Sequence, residues 1–181
     1  LQILGVPVDN INMTGSLKYV DELVESNSLG NCIFAVNPEK VHALQNDKFL
    51  MDLFKEAALL IPDGIGVVLA MRLLFGVRAE RVPGSELMPD ICSLAADKGY
   101  RIFVYGAKEE VNKGSVEELR KRYPGINIVG RSNGYVAEEE MNDLIMDINK
   151  SQAQILFVAL GSPRQEKWVK EYLPKLNVNI C

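Results

Sequence analysis

Five short apolar runs, at 32–36, 59–61, 101–105, 126–129 and 154–160, constrain this chain more than any other feature. Each ends on glycine, proline or a small polar residue, and a helix-length segment separates it from the next. Runs of that length between breakers read as buried strands. Strands that alternate with helices read as parallel pairing, with crossover helices covering both faces. The expected fold class is therefore α/β: one Rossmann-like parallel sheet flanked by helices, in a single domain over 1–181. A chain of 181 residues with 48% apolar and 24% charged residues has the length and balance for such a core.

The helices follow from caps and apolar spacing. Residues 2–8 alternate as a strand or the start of a β-ribbon. Thr14 or Ser16 can cap a helix to about Leu29, with Leu17, Val20, Leu23 and Val24 on one face and Gly30 as its stop. Pro38 suits the first turn of a helix to about Leu44, and Asp47 caps the next. Pro83 starts a helix to about Lys98, before Gly99. Residues 108–122 form a surface helix with Val111, Val116 and Leu119 inward and Glu117–Lys121 and Glu118–Arg122 as i,i+4 pairs. Met141, Leu144, Ile145 and Ile148 mark the inner face of a helix over 137–150. Gly161-Ser162-Pro163 opens a helix carrying Trp168, Val169 and Tyr172, and residues 177–181 begin a further strand.

Composition excludes several functions. A formal charge of −4 argues against broad nucleic-acid binding through a basic surface. Three cysteines, Cys32, Cys92 and Cys181, lack metal-ligand spacing and fit reduced thiols. His42 is the only histidine, which excludes a multi-histidine metal site and most His-based triads within the chain. His42 itself reads as structural. No uninterrupted apolar run reaches the roughly 18 residues that a membrane span needs. The nearest case, 65–75, is broken by Arg72. It reads as a buried core helix, with a subunit contact or a membrane-facing surface as the alternatives.

The loops after the strands carry the chemistry. In a parallel sheet the carboxyl ends of strands are where ligands bind, and helix N-termini there supply N–H donors to phosphates. Asp63, in Pro62-Asp63-Gly64-Ile65-Gly66, is the first ionisable group past its strand. It suits proton chemistry, and equally a turn or a helix cap. Asn37, Gly106, the 130–135 loop and the 161–166 loop fall at other strand ends. Gln165, at a strand end, fits a ligand contact or a capping box with Ser162 in which it reaches back to its own helix start. Arg81 fits a phosphate ligand or a solvated loop charge. Tyr135 fits a stacking surface for a base or a core position. Gly64-Ile65-Gly66 lacks the third glycine of a dinucleotide fingerprint, which counts against a nicotinamide-dependent oxidoreductase. No Asp-x-Asp pair is present to hold a divalent cation on a diphosphate. Charge on such a leaving group would then fall to arginine, backbone N–H groups and helix ends.

Together these segments resemble the WecG/TagA/CpsF family of bacterial glycosyltransferases, also called glycosyltransferase family 26. The matching stretches are Val36-Asn37-Pro38-Glu39, Pro62-Asp63-Gly64-Ile65-Gly66, Glu80-Arg81-Val82-Pro83-Gly84, Val104-Tyr105-Gly106, Tyr123-Pro124-Gly125, Gly134-Tyr135 and Ala159-Leu160-Gly161-Ser162-Pro163-Arg164-Gln165-Glu166. The likeness runs from near residue 1 to Cys181 and leans toward the teichoic-acid linkage branch. It implies an inverting, metal-independent transfer of N-acetylmannosamine from UDP to N-acetylglucosamine on undecaprenyl diphosphate, with no cofactor. Asp63 matches the family's acid and would act as general base. Asn37 would orient a sugar or phosphate, Arg81 would offset diphosphate charge, and Gln165 would contact donor or acceptor. Gly106, Gly134, Tyr135, Gly161 and Glu166 would shape the substrate pocket. Ala35 stands where the family usually has threonine, and the family's basic, aromatic C-terminal segment is expected to be missing from this chain. The implied setting is the inner face of the cell membrane, reached through that segment, with a homo-oligomer expected. A non-catalytic UDP-binding scaffold and a relative using another UDP-sugar are the alternative readings.

Overall fold

A computed structural model describes all 181 residues. It is a mixed α/β structure with parallel sheets flanked by helices, the Rossmann-like class that the alternation predicts. The chain divides into two compact units, 1–21 with 32–90 and 22–31 with 91–181.

The first unit opens with an antiparallel hairpin of β1 (Gln2–Ile3) and β2 (Val6–Pro7). Asp9 then docks on the strand that follows later in the chain: its amide donates to Leu60 O at 3.0 Å, and its Oδ2 accepts from Leu60 N at 2.8 Å. Helix α1 (Met13–Glu25) begins at Asn12 rather than at Thr14 or Ser16. Asn12 Oδ1 accepts from Gly15 N at 2.9 Å, and the buried Ser16 hydroxyl donates to Asn12 O at 2.9 Å. Ser16 is thus a core position, because its hydroxyl is satisfied inside the first turn.

Strands β3 (Ile33–Val36) and β4 (Leu59–Pro62) pair in parallel, with Ala35 opposite Ile61 and Val36 opposite Pro62. Between them lie α2 (Pro38–Leu44) and α3 (Lys48–Glu56), capped by Asn37 and Asp47. Phe34 and Phe54 stack at 4.9 Å, tying β3 to α3. Helix α4 (Ile65–Phe75) buries Val67, Val68 and Met71 and ends at Gly76 in the left-handed conformation. Its other side is exposed: Ile65, Leu69, Leu73, Leu74 and Phe75 all face solvent, Leu73 at 83%. The expected core helix is thus buried on one face only. Helix α5 (Gly84–Lys98) follows directly after Pro83.

The second unit holds β5 (Arg101–Gly106), α6 (Glu109–Arg122), β6 (Asn127–Ser132), α7 (Met141–Lys150), β7 (Ile155–Ala159) and α8 (Arg164–Tyr172). The sheet order is β6-β5-β7, all parallel. All four residues expected on the inner face of α7 are buried. On α6 the inward residues are Asn112 and Val116, while Val111 is exposed. The helix is thus turned from the expected face, because Asn112 has hydrogen-bond partners at the strand ends. Lys121 pairs with Glu118 one turn back, at 3.9 Å, rather than with Glu117. Residues 130–132, expected in a loop, continue β6. The final segment makes single-residue bridges from Ile180 to Asn31 and Ile155 and no longer strand.

The one sheet expected from the alternation is instead separate hydrogen-bonded ladders, β3–β4 and β6-β5-β7. Alternation fixes that strands run parallel. Which strands become neighbours depends on long-range packing that a single sequence does not display.

Candidate active site

The first unit gathers residues at the carboxyl ends of β3 and β4. Asp63 is half-buried just past β4, and its amide donates to Val36 O at 2.9 Å. That bond sets Asp63 beside Asn37. Asn37 caps α2, with Oδ1 accepting from Lys40 N at 2.8 Å, so it is a structural cap at the strand tip. Gly64 takes φ +92°, and a Cβ there would lie 3.3 Å from Pro38 Cδ. Glycine thus lets the first turn of α4 rest against the first turn of α2. The 80–84 loop joins this edge through Val82 N, which donates to Pro62 O at 2.8 Å. A Cβ on Gly84 would stand 3.9 Å from Ala35 Cβ, so the Ala35 methyl faces the start of α5. Arg81 is half-exposed, its Nη2 at 3.4 Å from Glu86 Oε1. The pair holds the guanidinium on the loop without burying it, and exposed pairs of this kind are worth little. Ala35, Asn37, Asp63 and the Arg81 loop therefore share one edge. His42 lies on α2, away from the capping end.

The second unit builds its edge mostly from backbone. Gly106 has φ +126°, and any Cβ there would overlap the Ala159 carbonyl. Ala107 follows at φ +58° and donates to Ala159 O at 2.8 Å, while its own carbonyl accepts from Gly134 N at 2.8 Å. Gly134 is equally confined, because a Cβ would lie 2.7 Å from Leu160 Cδ2. The ends of β5, β6 and β7 are thereby laced together. Asn112, 2% exposed, locks the lacing. Its Nδ2 donates to Gly106 O and Ser132 O at 2.9 Å each and to Val104 O at 3.4 Å. Its Oδ1 accepts from Arg131 Nη1 at 3.3 Å. Arg131 also binds Glu109 at 2.7 Å, which holds the Glu109 carboxyl below its usual range.

Arg164 and Tyr135 form the face of this edge. Arg164 Nη2 donates to Gly134 O at 2.6 Å, and its Cζ lies 5.9 Å from the Tyr135 ring centre. Tyr135 is 67% exposed, which makes it a surface ring rather than a core one. Burial pushes the Tyr105 phenol up, and the Arg164 charge pulls it back down. Gly161 is exposed at φ +80°, and its amide donates to Gln165 Oε1 at 3.2 Å. Gln165 therefore reaches back to its own helix start, one residue earlier than the Ser162 capping box. Glu166 is 1% exposed. It sits with Trp168 and Val169 on the buried face of α8 rather than on the loop surface.

The expected residues thus fall into two groups: Ala35, Asn37, Asp63 and Arg81 in one unit, and Gly106, Gly134, Tyr135, Gly161, Gln165 and Glu166 in the other. Sequence reading passed over Arg164, which lay inside a quoted motif, and over Ala107 and Asn112. The available signal for Asn112 was a lone amide at a helical position otherwise due an apolar residue. No group of three or more His, Cys, Asp or Glu side chains is placed to hold a metal ion. No helix is long and apolar enough to cross a membrane.

The profile of the glycosyl transferase WecG/TagA/CpsF family matches residues 1–181. The chain belongs to this family. It is also 35% identical over 170 residues to a Bacillus subtilis (strain 168) protein named N-acetylglucosaminyldiphosphoundecaprenol N-acetyl-beta-D-mannosaminyltransferase, with 94% of this chain and 66% of that protein covered. A Staphylococcus aureus (strain MRSA252) protein of the same name is 31% identical, with 93% and 66% covered. The chain therefore spans a little under two thirds of the length of these relatives. The family assignment leaves the nicotinamide reading without support.

Proposed function

We propose that this chain carries the catalytic edge of an inverting glycosyltransferase. It moves N-acetylmannosamine from UDP to the 4-hydroxyl of N-acetylglucosamine on undecaprenyl diphosphate, forming the β-linkage of the teichoic-acid linkage unit. The observation that carries the reading is Asp63, half-buried beside Asn37 at the ends of β3 and β4, with the Arg81 loop hydrogen-bonded alongside. Asp63 removes the acceptor hydroxyl proton as that oxygen attacks the anomeric carbon. The bond from that carbon to the UDP oxygen breaks, and UDP leaves with the electron pair. Inversion needs one displacement and so one base. Arg81 offsets diphosphate charge. Gly106, Gly134 and Gly161 keep side chains off the approach to the nucleotide, Tyr135 stacks on the base, and Gln165 and Glu166 hold the shape of that loop. The work is peripheral to the cytoplasmic face of a membrane.

A second reading has one observation behind it. Ala35 puts a methyl where the family's hydroxyl would stand, which favours a UDP-binding domain that does not turn over. The two readings separate in one experiment: transfer from UDP-N-acetylmannosamine to a short-chain lipid-linked N-acetylglucosamine diphosphate, with EDTA present. The chain is compared with Ala35→Thr and with Ala35→Thr/Asp63→Asn. Activity in Ala35→Thr that drops on the order of 100-fold with Asp63→Asn, at unchanged melting temperature, is the expected result. Equal activity in both removes Asp63 as base. UDP binding without turnover in any version favours the scaffold.

A further inference from the structure

Tyr135 is an aromatic residue left in water and yet held by its neighbours. It is 67% exposed, and an exposed tyrosine alone is an ordinary surface residue. The bonds that fix the chain around it are not ordinary. Its amide donates to Asn133 Oδ1 at 2.8 Å. Asn133 Nδ2 in turn lies 3.5 Å from Glu109 Oε2, and Glu109 is paired with Arg131 at 2.7 Å. The preceding Gly134 donates to Ala107 O at 2.8 Å and accepts from Arg164 Nη2 at 2.6 Å. The stretch 133–135 is therefore tied both to the 107–109 turn and to the first turn of α8.

Arg164 meets this stretch twice. Its Cζ stands 5.9 Å from the Tyr135 ring centre, at the outer limit of roughly 6 Å for attraction between a cation and a ring face. That contact alone is too weak to hold a long side chain at a surface. The bond to Gly134 O is short and charge-assisted, and it keeps the guanidinium behind the ring. Neither the carbonyl nor the ring neutralises its charge. Glu166, the acid two residues on, is buried with Trp168 and Val169 on the inner face of α8. The ring is thus backed by a cation on one face and offers the other to solvent.

We propose that Arg164 is a positioning residue for nucleotide binding: it backs the Tyr135 ring and fixes it as a one-sided platform on which the base of the nucleoside diphosphate stacks. The inference rests on the reading of this edge as the nucleotide site and adds Arg164 to it. A ring set in place before the ligand arrives spares the cost of ordering it on binding. Arg164 acts through Tyr135 and does not touch the phosphates. The competing role is that of a phosphate ligand, which a cation at a helix start would also suit. The two roles differ in whether the effect of Arg164 depends on the ring.

The test is a double-mutant cycle on UDP binding, measured by calorimetry, with inorganic pyrophosphate as the probe that lacks a base. Tyr135→Ala should weaken UDP about ten-fold, the scale of one lost stack between a base and an aromatic ring. Arg164→Met should weaken UDP several-fold and leave pyrophosphate affinity unchanged. The double variant should bind UDP no more weakly than Tyr135→Ala alone. Arg164→Lys, which keeps the charge but not the planar fork, carries the same cycle if Arg164→Met fails to fold. Lys167→Gln removes an exposed cation from the same helix and should bind UDP as the unaltered chain does. Additive losses, or pyrophosphate binding that falls in Arg164→Met, would make Arg164 a direct phosphate ligand and overturn the proposal. Unchanged UDP affinity in Arg164→Met overturns it too, as does an equal loss in Lys167→Gln. Failure of the nucleotide reading looks different: the unaltered chain then binds neither UDP nor uridine, and the proposal falls with it.

Discussion

The edge at β3–β4 is made of side chains, whereas the edge at β5–β7 is made of backbone. At the first, Asp63, Asn37 and Arg81 stand on short connections that a few hydrogen bonds hold in place, and Arg81 is 50% exposed. At the second, Gly106, Ala107 and Gly134 are interlocked by amide–carbonyl bonds of 2.8 Å and sealed by the buried Asn112. The difference teaches where each kind of function belongs. Proton transfer and charge compensation need groups that adjust to a substrate. A surface that accepts a nucleotide by close backbone approach needs a shape that does not adjust. On the proposed reading, the first edge should therefore lose activity with little change in stability, whereas substitutions at the second should cost stability and nucleotide binding together.

The sharpest break of that contrast is Gly106→Ala. A methyl there overlaps the Ala159 carbonyl at a φ of +126°. The expected cost is about 2–4 kcal/mol, read as a fall in melting temperature, with UDP binding lost alongside. Gly161→Ala is the control. Its φ is also positive, at +80°, but its Cβ would meet nothing within 4 Å, so the cost should be about 1 kcal/mol. Equal effects would mean that backbone conformation alone, and not the close approach to β7, sets the glycine requirement.

Asn112 comes next. Asn112→Ala leaves the carbonyls of Gly106 and Ser132 without their side-chain donor inside the structure. A loss of about 1–3 kcal/mol follows, with slower or weaker UDP binding as the 106–108 turn loosens. Unchanged stability would show that water replaces the amide and that the edge is not rigid.

These predictions rest on features that were unevenly legible. The strands at 32–36, 59–61 and 154–160 were plain because each is a short apolar run with a breaker at its end. Pro38 and Asp47 announced helix starts by local chemistry alone, and both hold in the structure. Asn112 and the continuation of β6 through Ser132 were not visible. Both depend on a partner more than a dozen residues away or on an adjacent strand. The inward turn of an amide on α6 makes sense only once three strand-end carbonyls are known to converge on it. Asp63 and Asn37 stood out because their motifs fall after strands, and Arg81, in the loop after α4, only through the family resemblance. The cap that Asn37 makes on α2 was not read from the sequence.

On the adjustable edge, Ala35→Thr should act in the opposite direction. The methyl of Ala35 faces Gly84, which carries no side chain, so a hydroxyl should be accepted with little change in melting temperature. If the chain transfers sugar, turnover should rise by about ten-fold, the value of one added hydrogen bond in a transition state. A rise in affinity for UDP without a rise in turnover would move the hydroxyl's role from the reacting sugar to the nucleotide.

The smallest effect is an electrostatic one at the rigid edge. The Arg131 hydrogen bond holds the Glu109 carboxyl below its ordinary value of 4.5. A carboxyl depressed by folding stabilises the folded form above its unfolded value, and that contribution fades as pH falls through the folded value. Glu109→Gln should therefore lower the melting temperature slightly near neutral pH, and the difference from the unaltered chain should close as pH falls through the lowered value of the folded carboxyl. Because Arg131 also donates to Asn112 Oδ1, the variant frees one arm of the lock on the 106–108 turn. A difference that persists unchanged at low pH would show that Glu109 acts through packing and its contact with Asn133, not through charge. The backbone edge would then owe its rigidity to Asn112 and the amide–carbonyl bonds, with no share from the Glu109 charge.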